Sequence, residues 1–239
     1  MKGIVGVSIA KGRGDLMTLK NWLLGEKIND YLVDLFVKEA PILQELRERI
    51  QEDPMAHMQI QPLQGAFMQW LIRVQGTRDI LELGTYMGYS ALTLALALPP
   101  EGRLTTCDIS KEWGEVAISF WKKAQVLEKI DFRLGPALET LQNLLQEKQS
   151  FDMIFIDANK SQYPLYYETC YELLRPKGIL LLDNVLWYGV VPDPTIQDSR
   201  TLILRNLNEK ISKDPRVEPY LLPLGDGLLM AMKKVIKPK

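Results

Sequence analysis

The sequence predicts an α/β fold: a mostly parallel sheet with an antiparallel last strand and helices on both faces. Strand and helix patterns alternate from Ile80 onward, and the apolar strand runs end on glycine or on an acid. The two final strands, "VEPYLLPL" and "LLMAMKK", are separated only by "GDG". That leaves no room for a crossover helix, so these two strands must run antiparallel.

Each element has its own signal. Leu19, Trp22, Leu23, Leu32, Leu35 and Phe36 recur at helical spacing between Leu19 and Val37, with Gly25 as an interruption. A second helix, "ILQELRERI", follows Pro41, and a third, "QPLQGAFMQWLIRVQG", has Pro62 near its start and Gly76 just past its end. Then come the strand "ILELG", the helix-like run "ALTLALAL", the strand "RLTTCDI", a helix around "WGEVAISFWKKAQVL" and the strand "IDFRL". A helix at "ALETLQNLLQ", the strand "FDMIFID", a helix near "YYETCYELL" and the strand "GILLLDN" complete the alternation of a parallel sheet with crossover helices. A charged helix, "RTLILRNLNEKI", precedes the final hairpin. No repeat, low-complexity tract or flexible linker interrupts this order, so the expectation is one domain over 1–239 with an N-terminal helical extension at about 1–60.

Composition narrows the class. With 239 residues and 46% hydrophobic content the chain can fill a sizeable core. Lys+Arg 29 against Asp+Glu 30 leaves a net charge of -1 and no block of like charge, so nucleic acid is not an expected partner. Cys107 and Cys170 form no C-x-x-C pair, which argues against a disulfide scaffold or a zinc site and fits a reducing cytoplasm. The apolar piece "IVGVSIA" is short, and no later run approaches the ~20 residues of a membrane helix, so no membrane is expected either.

In open α/β sheets ligands bind beyond the carboxyl ends of the strands. Those ends carry Glu82 and Gly84, Cys107 and Asp108, Asp157, and Asp183 with Asn184, so four carboxylates are expected around one crevice. The glycine loop "GTYMGYS" is not a dinucleotide fingerprint, because Tyr86 stands where G-x-G-x-x-G needs glycine. Asp108 lies 24 residues after Gly84, close to the ~20 expected of an acid that accepts from ribose hydroxyls. Gly84 and Gly88 admit close backbone approach, and a methionyl zwitterion needs less room than a pyrophosphate, so the loop favours S-adenosylmethionine over NAD.

Asp157, Asp183 and Asn184 offer oxygen donors only, a set suited to Mg²⁺, Ca²⁺ or Mn²⁺ and poor for zinc. An octahedral ion held by them keeps positions for two vicinal hydroxyls and a water, and it lowers the pKa of a bound phenol. Lys160 follows Asp157 by three residues at the start of the next helix, placed to accept the phenol proton. His57, the only histidine, has no G-x-S-x-G partner motif and reads as a loop or packing residue; Met58 beside it reads as core filling or as a contact to a cofactor.

The pieces "ELGTYMGYSAL", "CDI", "GPA", "FIDANKSQY", "LLLDNVLW" and "PLGDGLLM", in this order and spacing, resemble the caffeoyl-CoA O-methyltransferase family, the cation-dependent O-methyltransferases related to catechol O-methyltransferase. The resemblance runs from about Lys20 to the end and implies a Rossmann-like class I methyltransferase sheet. It also implies a vicinal diphenol acceptor, catechol-type or a CoA ester such as caffeoyl-CoA, S-adenosylmethionine, a divalent cation and a homodimer. It assigns Asp157, Asp183 and Asn184 to the metal and Lys160, with Asp157, to catalysis. Met58, Ile60, Glu82, Gly84, Tyr86, Ser90, Asp108, Ala137 and Asp157 fall at the cofactor site, and Trp187, Tyr188 and Arg200 at the acceptor site. Asn159 replaces the more frequent Asp of D-A-D-K, and Tyr188 stands where the plant enzymes typically carry Asn, which admits a smaller catechol as readily as caffeoyl-CoA. The competing readings are an NAD(P)-dependent oxidoreductase, a non-catalytic cofactor-binding protein and an RNA-modifying methyltransferase.

Overall fold

A computed structural model describes residues 25–235. The part of the first helical pattern carried by Leu19, Trp22 and Leu23 lies outside them. Within the described residues Gly25 does interrupt that pattern, serving as the N-cap of α1 (Glu26–Phe36). α2 (Pro41–Ile50) and α3 (Pro62–Gln75) each begin on a proline, whose missing N–H costs nothing in a first helical turn. β1 (Asp79–Leu83) follows, then α4 (Tyr89–Ala97), β2 (Arg103–Asp108) and α5 (Lys111–Lys123). Next come β3 (Ile130–Leu134), α6 (Ala137–Gln146), β4 (Phe151–Ile156), α7 (Tyr163–Leu173) and β5 (Leu174–Leu182). α8 (Ser199–Ser212), β6 (Val217–Leu222) and β7 (Leu228–Lys233) end the described order.

The seven strands form one sheet in the order β3-β2-β1-β4-β5-β7-β6. All pairings from β3 to β5 are parallel, and β7 runs antiparallel to both β5 and β6. The final hairpin is thus antiparallel as expected. Its second strand, though, is inserted between β5 and β6, so the chain crosses past β5 before turning back.

Both faces of the sheet are covered, which is why the central strands read as continuous apolar runs. Leu81, Leu83, Ile154, Ile156, Leu180 and Leu182 pack with α6, α7 and α8. The alternate residues Ile80, Met153, Phe155 and Leu181 pack with α2, α3, α4 and α5. This period-two division leaves the carboxyl ends of β2, β1, β4 and β5 side by side at one edge of two filled layers. Among the described residues no helix is long and apolar enough to cross a membrane.

Candidate active site

A cavity of about 570 Å³ opens at those strand ends. Of the residues singled out in the sequence, Met58, Gly84, Tyr86, Asp108, Ala137, Asp157, Lys160, Asp183, Asn184, Trp187, Tyr188 and Arg200 line it. Ile60, Glu82 and Ser90 are not on its wall. Ile60 is buried in the core with α3 and α4, and Glu82 is fully buried beneath the cavity floor. The crevice therefore holds three of the four expected carboxylates, because period-two alternation turns Glu82 inward while the strand ends beyond it stay open. His57, read as a loop or packing residue, joins the cavity wall and is exposed.

The glycine loop is shaped by backbone demands. Gly84 has φ 97, and a Cβ there would meet the Asp157 carbonyl oxygen at 2.0 Å. Only glycine satisfies both conditions. Immediately after it the backbone N–H groups of Thr85 and Tyr86 donate to Asp108 Oδ2 at 3.0 and 2.7 Å, and Ser110 N–H donates to Oδ1 at 3.0 Å. Asp108 is therefore the organiser of the loop as well as an acceptor. Each carboxylate oxygen can take about two hydrogen bonds, so the spare capacity lies on Oδ1. That is enough for a ribose hydroxyl.

Under the loop, Thr85 Oγ1 and Thr106 Oγ1 are 2.6 Å apart, and Thr106 Oγ1 donates to Glu82 Oε2 at 2.5 Å. Burial pushes the Glu82 carboxyl up to about 8, against the pull of the Ser90 and Thr106 hydroxyls. Among the described residues no hydrogen bond reaches Glu82 Oε1.

The second half of the site is carried by the ends of β4 and β5. Lys160 Nζ donates to Asp157 Oδ1 at 2.6 Å and lies 5.0 Å from the ring centroid of buried Tyr163. The turn bearing Lys160 is capped by Asn159, whose Oδ1 accepts from Ser161 N at 3.1 Å and Ser161 Oγ at 2.8 Å. The Asn159 side-chain oxygen is thus engaged in this local turn. Tyr163 donates its hydroxyl to the Ile156 carbonyl at 2.9 Å and to that of Asp183 at 3.2 Å, clamping the two strand ends together. Asp183 is 3% exposed, and burial together with the charge of Asp157 pushes its carboxyl up to about 7. Two carboxylates that repel each other this way, with the Asn184 amide beside them, form an oxygen donor set that a divalent cation would relieve. Among the described residues there is no group of three or more His, Cys, Asp or Glu able to hold a metal, since the third donor here is an amide.

The far wall is aromatic. Trp187 and Tyr188 meet edge to face with ring centroids 5.2 Å apart, and the Arg200 guanidinium lies 4.9 Å from the Trp187 centroid. Arg200 sits in the first turn of α8, which is capped by Asp198 accepting from Arg200 N and Thr201 N at 3.1 Å each. Trp113 and Tyr166 also line the cavity, and Asp53 holds Tyr86 from behind. No local signal marks these three residues: Trp113 and Tyr166 look like the apolar stripes of their helices, and Asp53 like a turn former.

Comparison with known proteins follows the same lines. The profile of a family described as "O-methyltransferase" matches residues 34–234. A relative from Mus musculus, "Catechol O-methyltransferase domain-containing protein 1", is 43% identical over 85% of this chain and 78% of its own. A relative from Dictyostelium discoideum, "Probable caffeoyl-CoA O-methyltransferase 2", is 39% identical over 86% of this chain and 91% of its own. The crystal structure of the O-methyltransferase from Bacillus cereus in complex with SAH superposes with a TM-score of 0.80 at 34% identity, covering 87% of this chain and 97% of that one.

Proposed function

The chain belongs to the O-methyltransferase family, and from that premise we propose that it moves the methyl group of S-adenosylmethionine to a hydroxyl of a small vicinal diphenol or its CoA ester, with a divalent cation at Asp157, Asp183 and Asn184. The observation that carries this reading is the pairing of an oxygen-only donor set with an amine, Lys160 Nζ at 2.6 Å from Asp157 Oδ1, in one cavity walled by aromatic rings.

S-adenosylmethionine supplies an electrophilic methyl on a sulfonium, and its demethylated product is the SAH that accompanies the Bacillus cereus relative. Asp108 Oδ1 would take a ribose hydroxyl, while Gly84 lets the backbone approach the amino-acid portion. Asp157, Asp183 and Asn184 would hold the cation, which would supply the Lewis acidity that lowers the pKa of an acceptor hydroxyl. The residues then divide the remaining work. Trp187 and Tyr188 flank a flat ring, and Arg200 places a positive charge at the edge of that wall, suited to an anionic acceptor such as a CoA ester. Lys160 Nζ lies 2.6 Å from Asp157 Oδ1, so its amine is held beside the oxygen donor set. In its neutral form, its extra proton given up to solvent beforehand, that amine would take up the acceptor's hydroxyl proton as the methyl group is transferred.

Exposed apolar residues on α1 (Ile28, Tyr31, Leu35, Phe36) and α3 (Trp70, Val74) support a homodimer as part of the same reading. The deciding experiment offers a panel of diphenols and their CoA esters with S-adenosylmethionine and Mg²⁺ and measures SAH release. Methylation of any vicinal diphenol supports the proposal. No turnover across the panel, with SAH still bound tightly, would overturn the vicinal diphenol as acceptor.

A further inference from the structure

The turn Gly225-Asp226-Gly227 takes no part in that chemistry, yet it grips the loop that forms the aromatic wall. The Gly227 carbonyl accepts from Val185 N at 3.1 Å, and the Asp226 carbonyl from Leu186 N at 3.0 Å. The Asp226 carboxylate reaches further and accepts from Tyr188 N through Oδ1 at 2.7 Å. All three contacts fall within the segment that runs from the donor set to the aromatic wall.

That segment needs holding. Asn184, Trp187 and Tyr188 have φ of 56, 48 and 54, the left-handed region that side-chain-bearing residues keep only when their surroundings impose it. The turn itself is wedged in place. A Cβ at Gly225 would meet Gln64 Oε1 of α3 at 2.4 Å, and one at Gly227 would meet Leu186 Cγ at 2.5 Å. Tyr188, by contrast, is 63% exposed. Its ring contact is with Trp187, so its position comes from the backbone.

We propose that Asp226 is a positioning residue for the acceptor: by holding the Tyr188 N–H it fixes the Trp187–Tyr188 wall and so determines which acceptor rings fit. The proposal rests on the methyltransferase reading above. A carboxylate accepting a backbone N–H is a charge-assisted bond, stronger and more directional than a neutral one. Without it the strained residues 187 and 188 can relax, and the wall moves while the cofactor half of the cavity stays intact.

The test uses the full chain with S-adenosylmethionine and Mg²⁺, with caffeoyl-CoA and 3,4-dihydroxybenzoate as probe acceptors. Asp226→Ala should raise acceptor KM roughly tenfold with little change in kcat and none in calorimetric SAH affinity, and Asp226→Asn, which keeps an acceptor oxygen, should restore KM. Acceptor KM unchanged in Asp226→Ala, or a parallel loss of SAH affinity, would overturn the inference. Amide hydrogen exchange of Tyr188 in the wild-type chain is a second measurement that needs no variant and no turnover. Protection is expected, and exchange at the rate of a free amide overturns the contact. A wild type that methylates neither probe nor any other diphenol overturns the functional reading instead, and the Tyr188 amide then still judges the brace.

Discussion

Tyr86 donates its hydroxyl to Asp53 Oδ1 at 3.0 Å, fastening the turn after α2 to the glycine loop. The same Asp53 oxygen accepts from Met55 N at 2.8 Å, at the start of the Met55, His57 and Met58 segment that walls the cavity. Three residues on, Tyr89 donates to Glu39 at 2.5 Å, and Arg47 pairs with the same acid at 3.0 Å. The two tyrosines of "GTYMGYS" thus anchor the N-terminal helices over the cofactor half of the site.

This fastening predicts a measurable coupling. Tyr86→Phe and Asp53→Ala should each weaken SAH binding by up to about tenfold, the size of one lost hydrogen bond to a charged group. The double variant should be no worse than either single one. Calorimetry on the four proteins checks it, and fully additive losses would show that the two residues act separately.

Lys160→Met keeps the stem and removes the amine. It should lower kcat on the order of 10²-fold or more while SAH affinity stays near that of the wild type. The deficit should narrow as pH rises, because hydroxide then takes the proton. A variant that keeps kcat and loses only KM would assign Lys160 to holding the acceptor.

EDTA should stop methyl transfer, and Mg²⁺ or Mn²⁺ should restore it, since Asp157, Asp183 and Asn184 supply oxygen donors only. SAH binding should survive chelation, because Asp108 and the glycine loop lie on other strands. Full turnover after rigorous chelation would remove the cation from the mechanism.

Glu82 predicts a pH dependence of stability. Its folded-state value of about 8 lies above the ordinary 4.5, so between these values the folded chain binds more protons than the unfolded one. The stability contributed is fully present below about 4.5 and is lost as pH rises toward 8. Glu82→Gln should flatten that decline, a difference on the order of a few kcal/mol across the window by linkage. Thermal melts from pH 5 to 8.5 measure it, and parallel curves for both proteins would mean that Glu82 is already ionised.

By itself the sequence determined the element order, the reversed last strand and the polar strand ends, because these rest on local signals: apolar runs of strand length, proline and glycine at helix ends, a loop too short for a crossover. Asp108, Asp157, Asp183 and Asn184 were legible for the same reason, since a parallel sheet brings its carboxyl ends together whatever the loops do. Tertiary structure decided what depends on partners distant in the chain. It set β7 between β5 and β6, turned Glu82 under the loop, and kept Ile60 in the core. It also joined Tyr86 to Asp53, 33 residues away, and Tyr188 to Asp226, 38 away. Hydrophobic period describes one segment at a time, whereas a hydrogen bond between two loops exists only after the layers beneath them have packed and placed both backbones.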